Sequence, residues 1–263
     1  MTKVSTSQQI TKELPWLQPL AAWVSGLDAD SLPERVKKRI AACAIDWWGA
    51  LAAGCNHRLA ETYRHALAVS LSPTGTLSAG CSVAGWSGYY LLEQAAPANA
   101  AISHLAEVDD GHKGAAMHPG ITVFPTVIAL AERYHINRTD IQAAIVAGYE
   151  VGLKVGTLLG KHHYAVCHTT ATAGCFGAAA AAARLLKLSP QQTLFAFGHA
   201  GTQAAGLWQF LDDGAQEAKA FHPAAATRNG LMAVNLARNE LPAATRILEG
   251  RRGLLQAWGL NGD

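Results

Sequence analysis

Three short stretches of this sequence hold most of its chemistry-bearing side chains. The first runs from His104 to Gly120 and carries Glu107, Asp109, Asp110, His112, Lys113 and His118. The second, His162 to Thr170, carries His162, His163, Cys167 and His168. The third is Lys219-Ala220-Phe221-His222. Gly and Pro in the first stretch favour a loop, and loops often carry sites. Two of the three stretches end where a helix is expected to begin. The free N–H groups and dipole of a helix N-terminus favour an anion, so His and Lys beside them can hold a carboxylate. Histidine titrates near neutrality, which suits proton transfer. Taken singly, each of these His reads more simply as a cap, a core group or a surface group. Asp109-Asp110 reads equally as a solvated turn or cap, and spacing alone does not bring the three stretches together.

Other chemistries find less support. Asp109, Asp110, His112 and His118 are metal-ligand types. However, there is no His-Asp dipeptide, and the Glu-x-x-His pair needed twice by di-iron bundles occurs only as Glu132 to His135. No metal site and no cofactor are expected. The G-x-S-x-G, Walker and G-x-G-x-x-G patterns are absent. The five Cys are odd in number, widely spaced and free of C-x-x-C, so they are expected to be buried thiols in a reducing compartment. The net charge of +2 is too small for a polyanion partner, which excludes nucleic acid.

The elements that must position these residues read as helices. Half the residues are hydrophobic and only 15% are charged, which excludes disorder. The apolar content is rich in Ala and Gly, and small side chains let helix backbones approach closely. Ser31-Leu32-Pro33-Glu34, Thr139 to Gln142 and Ser189 to Gln192 have the form of capping boxes. Behind the first, Val36, Ile40, Cys43, Ala44, Trp47 and Leu51 share one helical face. Gly148, Gly152 and Gly156 line one face of another helix and predict a neighbour pressed against it, since each costs about 1 kcal/mol in a helix interior. The six Ala at 178–183 predict a buried helix too short in strongly apolar residues to span a membrane. Leu67 to Val83 is irregular, with room for a turn or short strand. Lys3, Lys12, Glu13, Pro15 and Pro19 interrupt any signal sequence, so a cytoplasmic, all-α protein without membrane contact is expected over a single domain, 1–263.

The same stretches resemble the MmgE/PrpD family, which includes 2-methylcitrate dehydratase, cis-aconitate decarboxylase and iminodisuccinate epimerase. The resemblance rests on Asp109-Asp110-Gly111-His112-Lys113, His118-Pro119-Gly120, Val123-x-Pro125 and Ala147 to Val151. It continues through His168 to Gly177, Ala200 to Gly206, Lys219-x-x-His222 and Leu248-Glu249-Gly250. It implies the large helical domain of a cofactor-free, homodimeric lyase or isomerase acting on small di- or tricarboxylic acids. The smaller α/β lid domain and the helices that return from it would lie outside these 263 residues, making a separately encoded lid a possible partner. The resemblance implies Asp109, His118, His168 and Lys219 as catalytic. Asp110, His112, Lys113, Thr169 and His222 would bind substrate. Glu107 stands where some relatives carry Asp, which leaves the acid position open. Dehydration, decarboxylation and epimerisation are not distinguished, nor is the acid His from the base His. A non-catalytic homologue kept for dimerisation or carboxylate binding is the alternative.

Overall fold

The computed structural model describes residues 15–68 and 80–258. Leu67 to Val83 therefore lies partly outside the described residues, as do the termini. The described residues form helices α1 (Leu17–Gly26), α2 (Glu34–Cys55), α3 (Ala60–Ala68), α4 (Leu92–His104), α5 (Gly120–Tyr134) and α6 (Arg138–Tyr164). They continue with α7 (Thr169–Leu185), α8 (Pro190–Thr202), the short α9 (Gln209–Asp212), a 3-10 turn (Gln216–Ala220), α10 (Phe221–Arg238) and α11 (Leu254–Ala257). Among the described residues extended pairing is confined to three isolated bridges, Cys81 with Tyr90, His112 with Met117, and Cys167 with Leu207. The all-α expectation holds.

Helix α7 is the hub. All 17 of its residues are buried, as befits a helix that is apolar on every side. Helices α5, α6, α8 and α10 surround it. Small residues set the approach distances. A Cβ on Gly177 would sit 3.1 Å from the Gly148 carbonyl oxygen, and one on Gly156 would sit 3.1 Å from the Thr169 methyl. The glycine face of α6 thus meets α7 directly, as its spacing predicts. Among the described residues α6 alone is long and apolar enough to cross a membrane, but 56% of its apolar window is buried within the protein. The expected face of α2 is also present, with Ile40, Trp47 and Leu51 buried. The five Cys are free thiols.

Two of the three expected capping boxes do not form. Ser31 bonds the Asp28 carbonyl, and α2 starts after Pro33 with no side-chain cap. Helix α6 is capped by Asn137, which accepts from the Asp140 N–H, so Thr139 falls inside the first turn. Asn outranks Thr at this position. The Ser189–Gln192 box forms in full, with Pro190 first in its helix.

The packing of α2 on α4 leaves no room at Gly54. An added Cβ would lie 1.8 Å from the carbonyl oxygen of Ile102, in the last turn of α4. Gly54→Ala is therefore expected to push the helices apart and cost about 1–3 kcal/mol or more. A guanidinium melt with an unshifted midpoint would contradict that packing.

Candidate active site

The three stretches converge on one cleft of about 340 Å3. Its lining includes His112, Lys113 and His118 from the first, Tyr164 and His168 from the second, and Lys219 from the third. Each stretch runs into a helix N-terminus. His118 and Pro119 lead into α5, His168 is the N-cap of α7, and Lys219 sits in the 3-10 turn before α10. Three helix N-termini thus begin beside residues that line the cleft.

The first stretch folds back on itself. The His112–Met117 bridge closes the Gly-rich turn and returns His118 to Asp109. The Asp109 carboxylate is almost wholly buried and sits between two imidazoles. Its Oδ1 lies 2.9 Å from His104 Nδ1, and its Oδ2 lies 3.0 Å from His118 Nδ1. An ionised carboxylate only accepts, so both Nδ1 atoms carry hydrogen. The His118 Nδ1–H also reaches the Asp110 carbonyl at 2.8 Å, and its backbone N–H donates to Thr170 Oγ1 at 3.0 Å. Burial opposes ionisation of Asp109, but the hydrogen bonds from His104 and His118 outweigh it and hold the carboxyl well below the usual range. Burial likewise lowers His118, and Asp109 more than reverses that, so His118 is raised. This is a His–Asp dyad with a partly exposed imidazole, 30% accessible at the cleft.

His168 is the opposite case. It is buried, 4.5 Å from the Trp208 ring and with its Nδ1 3.1 Å from His222 Nδ1. Burial, then the neighbouring His104, His222 and His118 and Lys219, push it far down, so it stays neutral. His222 is lowered to about 4, by burial first and then by His104 and Lys219. Trp208 is fixed from a distance. The Cys167–Leu207 bridge, the Trp208 N–H on the Val166 carbonyl and the indole N–H on the Tyr164 carbonyl lay it over His168. This approach needs Gly206, whose φ is +121° and whose added Cβ would lie 2.3 Å from Ala171 Cβ.

Lys219 pairs with Glu107 at 2.5 Å, and Glu107 itself has a left-handed φ of 51°. Not every expected residue faces the cleft. Asp110 turns away from its neighbour Asp109, accepting from Tyr149 Oη at 2.7 Å and the Gly120 N–H at 3.0 Å. Burial raises its pKa against those two bonds. It holds the start of α5 in place and so positions His118. Thr169 is buried with its methyl toward Gly156, and Thr170, one residue on, is the one that touches His118. His112 spends its Nδ1 on the Ala115 N–H and is exposed at the rim beside Lys113. His222 sits behind His168 rather than in the rim. Sequence reasoning missed His104, Thr170, Tyr149 and Trp208. A His closing an otherwise apolar helix five residues before Asp109 was a usable signal for His104.

One further His matters for stability only. His163 is fully buried, and burial lowers it to about 4. Its Nε2 lies 3.0 Å from Thr172 Oγ1. Its folded pKa lies below the unfolded value of about 6.5, so the unfolded chain takes the proton first. The resulting stability is complete above pH ~6.5 and is lost as pH falls toward 4, by about 3 kcal/mol. Urea midpoints at pH 7 and pH 4 check this. His163→Gln should remove only its own share of the difference, because His168 and His222 are lowered through the same window, and an equal slope in both proteins would place the acid sensitivity in those two.

The MmgE/PrpD N-terminal domain family matches residues 18–262. The chain belongs to that family. It is 30% identical over 247 residues to a cis-aconitate decarboxylase-like protein, oryM, of Aspergillus oryzae, covering 89% of this chain and 49% of that protein. It is also 30% identical over 238 residues to a cis-aconitate decarboxylase of Aspergillus terreus, covering 88% of this chain and 47% of that enzyme. This MmgE/PrpD chain thus spans about half the length of the curated relatives it matches.

Proposed function

We propose that this chain is the helical half of an MmgE/PrpD-type lyase or isomerase acting on a small di- or tricarboxylic acid. The observation that carries the reading is the convergence of a His–Asp dyad, a neutral His and a lysine on one cleft at the head of three helices. In this reading Lys219 leaves Glu107 to take a substrate carboxylate, and His112 and Lys113 at the rim assist it. The His118–Asp109 dyad carries a proton to or from the carbon next to a carboxylate. His168, held neutral and against Trp208, lines the same cleft as a hydrogen-bonding group beside the dyad. Similarity to proteins named as cis-aconitate decarboxylases favours loss of CO2. The C–C bond to one carboxylate breaks, and its electron pair delocalises toward a neighbouring carboxylate. His118 then returns a proton to carbon, so that a carboxylate is exchanged for hydrogen. The cationic side chains and helix termini stabilise the charge that builds in between.

Binding tests this reading without needing turnover. A ligand specific to the folded state must raise the melting temperature. Cis-aconitate and tricarballylate are expected to raise it more than acetate at equal ionic strength, and Lys219→Ala should lose most of that rise. Equal shifts in the two proteins would reject Lys219 as a carboxylate ligand. No shift with any di- or tricarboxylate would reject the substrate class for this chain.

A further inference from the structure

Behind the cleft wall lies a group that the carboxylate chemistry leaves unused. His104 is 1% exposed, and its Nε2 is buried without a hydrogen-bond partner. Leaving a buried ring nitrogen unmatched is costly, so such an atom calls for an explanation. The His104, His118 and His168 rings each bring one nitrogen to within 4.8 Å of the others. With Nδ1 of His104 and His118 committed to Asp109, the nitrogens left on those two rings are Nε2.

We propose that His104, His118 and His168 form a three-imidazole site for a divalent transition ion of the zinc class. Ring spacing supports it. A tetrahedral ion with Zn–N bonds of about 2.0–2.1 Å holds imidazole centres about 5.2 Å apart and their ligating nitrogens about 3.4 Å apart. The three ring centres here are 5.0, 5.9 and 6.2 Å apart. Asp109 supplies what such ligands require. A carboxylate on Nδ1–H fixes the tautomer, aims Nε2 and raises its basicity, and one carboxylate serves two of the rings. The His222 contact orients the His168 ring. The nearest cation, Lys219, is offset by Glu107 at 2.5 Å. Three protein ligands leave the fourth position open toward the cleft. The ion takes the same nitrogens that proton transfer needs, so its occupancy blocks the proposed chemistry instead of assisting it.

The probe is the metal alone. Chelator-stripped chain is titrated with ZnCl2 by calorimetry and with CoCl2 by visible absorption. Expected is one tight ion per chain, with the strong visible bands of a tetrahedral or five-coordinate cobalt. His118→Gln, whose side chain is partly exposed and so least burdens the fold, should weaken binding by more than the roughly 10–100-fold typical of losing a group that only orients a ligand. His104→Gln should do the same if circular dichroism shows it folded. His162→Gln, on the surface, should leave affinity unchanged. Failure of zinc to bind the wild type, affinity unchanged in His118→Gln, or the weak bands of octahedral cobalt would each overturn the site. The carboxylate thermal shifts are measured without metal, so either reading can fail while the other stands.

Discussion

Replacing Asp109 with Asn is expected to destabilise the fold by about 3–5 kcal/mol and to remove most of the turnover of any active assembly. The carboxylate is 1% exposed and answers two Nδ1–H groups at once. An amide has one accepting oxygen and a donating NH2, so one imidazole loses its acceptor or must swap its proton to Nε2. Breaking a buried charged pair from one side typically costs about 3–5 kcal/mol. The tautomer swap would put hydrogen on the nitrogen that faces the substrate, and a misplaced acid–base group costs about 10²–10⁴-fold in rate. Urea denaturation reads the first effect and steady-state assays the second. A variant as stable and as active as the parent would show that Asp109 neither holds nor tunes His118.

The second large effect concerns the 263-residue chain assayed alone. It is expected to turn over 2-methylcitrate, cis-aconitate and iminodisuccinate at a trace rate or not at all. The chain spans about half of its curated relatives, and here Lys113 and His112 lie exposed at the rim of the cleft. An open site leaves charges screened by water and substrate poorly held, and lost orientation alone can forfeit about 7–11 kcal/mol of barrier lowering. Adding a separately expressed lid domain from a relative should restore turnover by several powers of ten. Robust turnover by these 263 residues alone would show that the cleft needs no second wall. No turnover in the mixture would favour the non-catalytic homologue.

What the residues announced in advance was the set of stretches and their helical setting. The spacing of Gly148, Gly152 and Gly156 pointed to some neighbour pressed against their helix, and the three do lie at the contact of α6 with α7. What they could not announce was direction. Asp109 and Asp110 are adjacent, yet one faces two imidazoles and the other faces Tyr149 and the start of α5. Thr169 and Thr170 divide in the same way, because neighbours in a first helical turn point about 100° apart. Trp208 was invisible because nothing local holds it. Its place over His168 comes from a bridge and two hydrogen bonds to residues about forty positions earlier. The misplaced caps have a local cause. The pattern Ser/Thr-x-x-Glu/Gln recurs by chance, and Asn137 or Pro33 decides where the helix starts.

The His118–Asp109 dyad is proposed to transfer a proton at carbon next to a carboxylate. Proton NMR in D2O tests it for all three family reactions at once. The chain with a lid domain is incubated with cis-aconitate, 2-methylcitrate or iminodisuccinate. One of these acids is expected to change at a carbon beside a carboxylate, with deuterium entering the product of decarboxylation or epimerisation or the C–H signal disappearing on dehydration, and His118→Gln, shown folded by circular dichroism, should lose that change. The same change persisting in His118→Gln, or no change with any of the three acids, would rule out that role for the dyad.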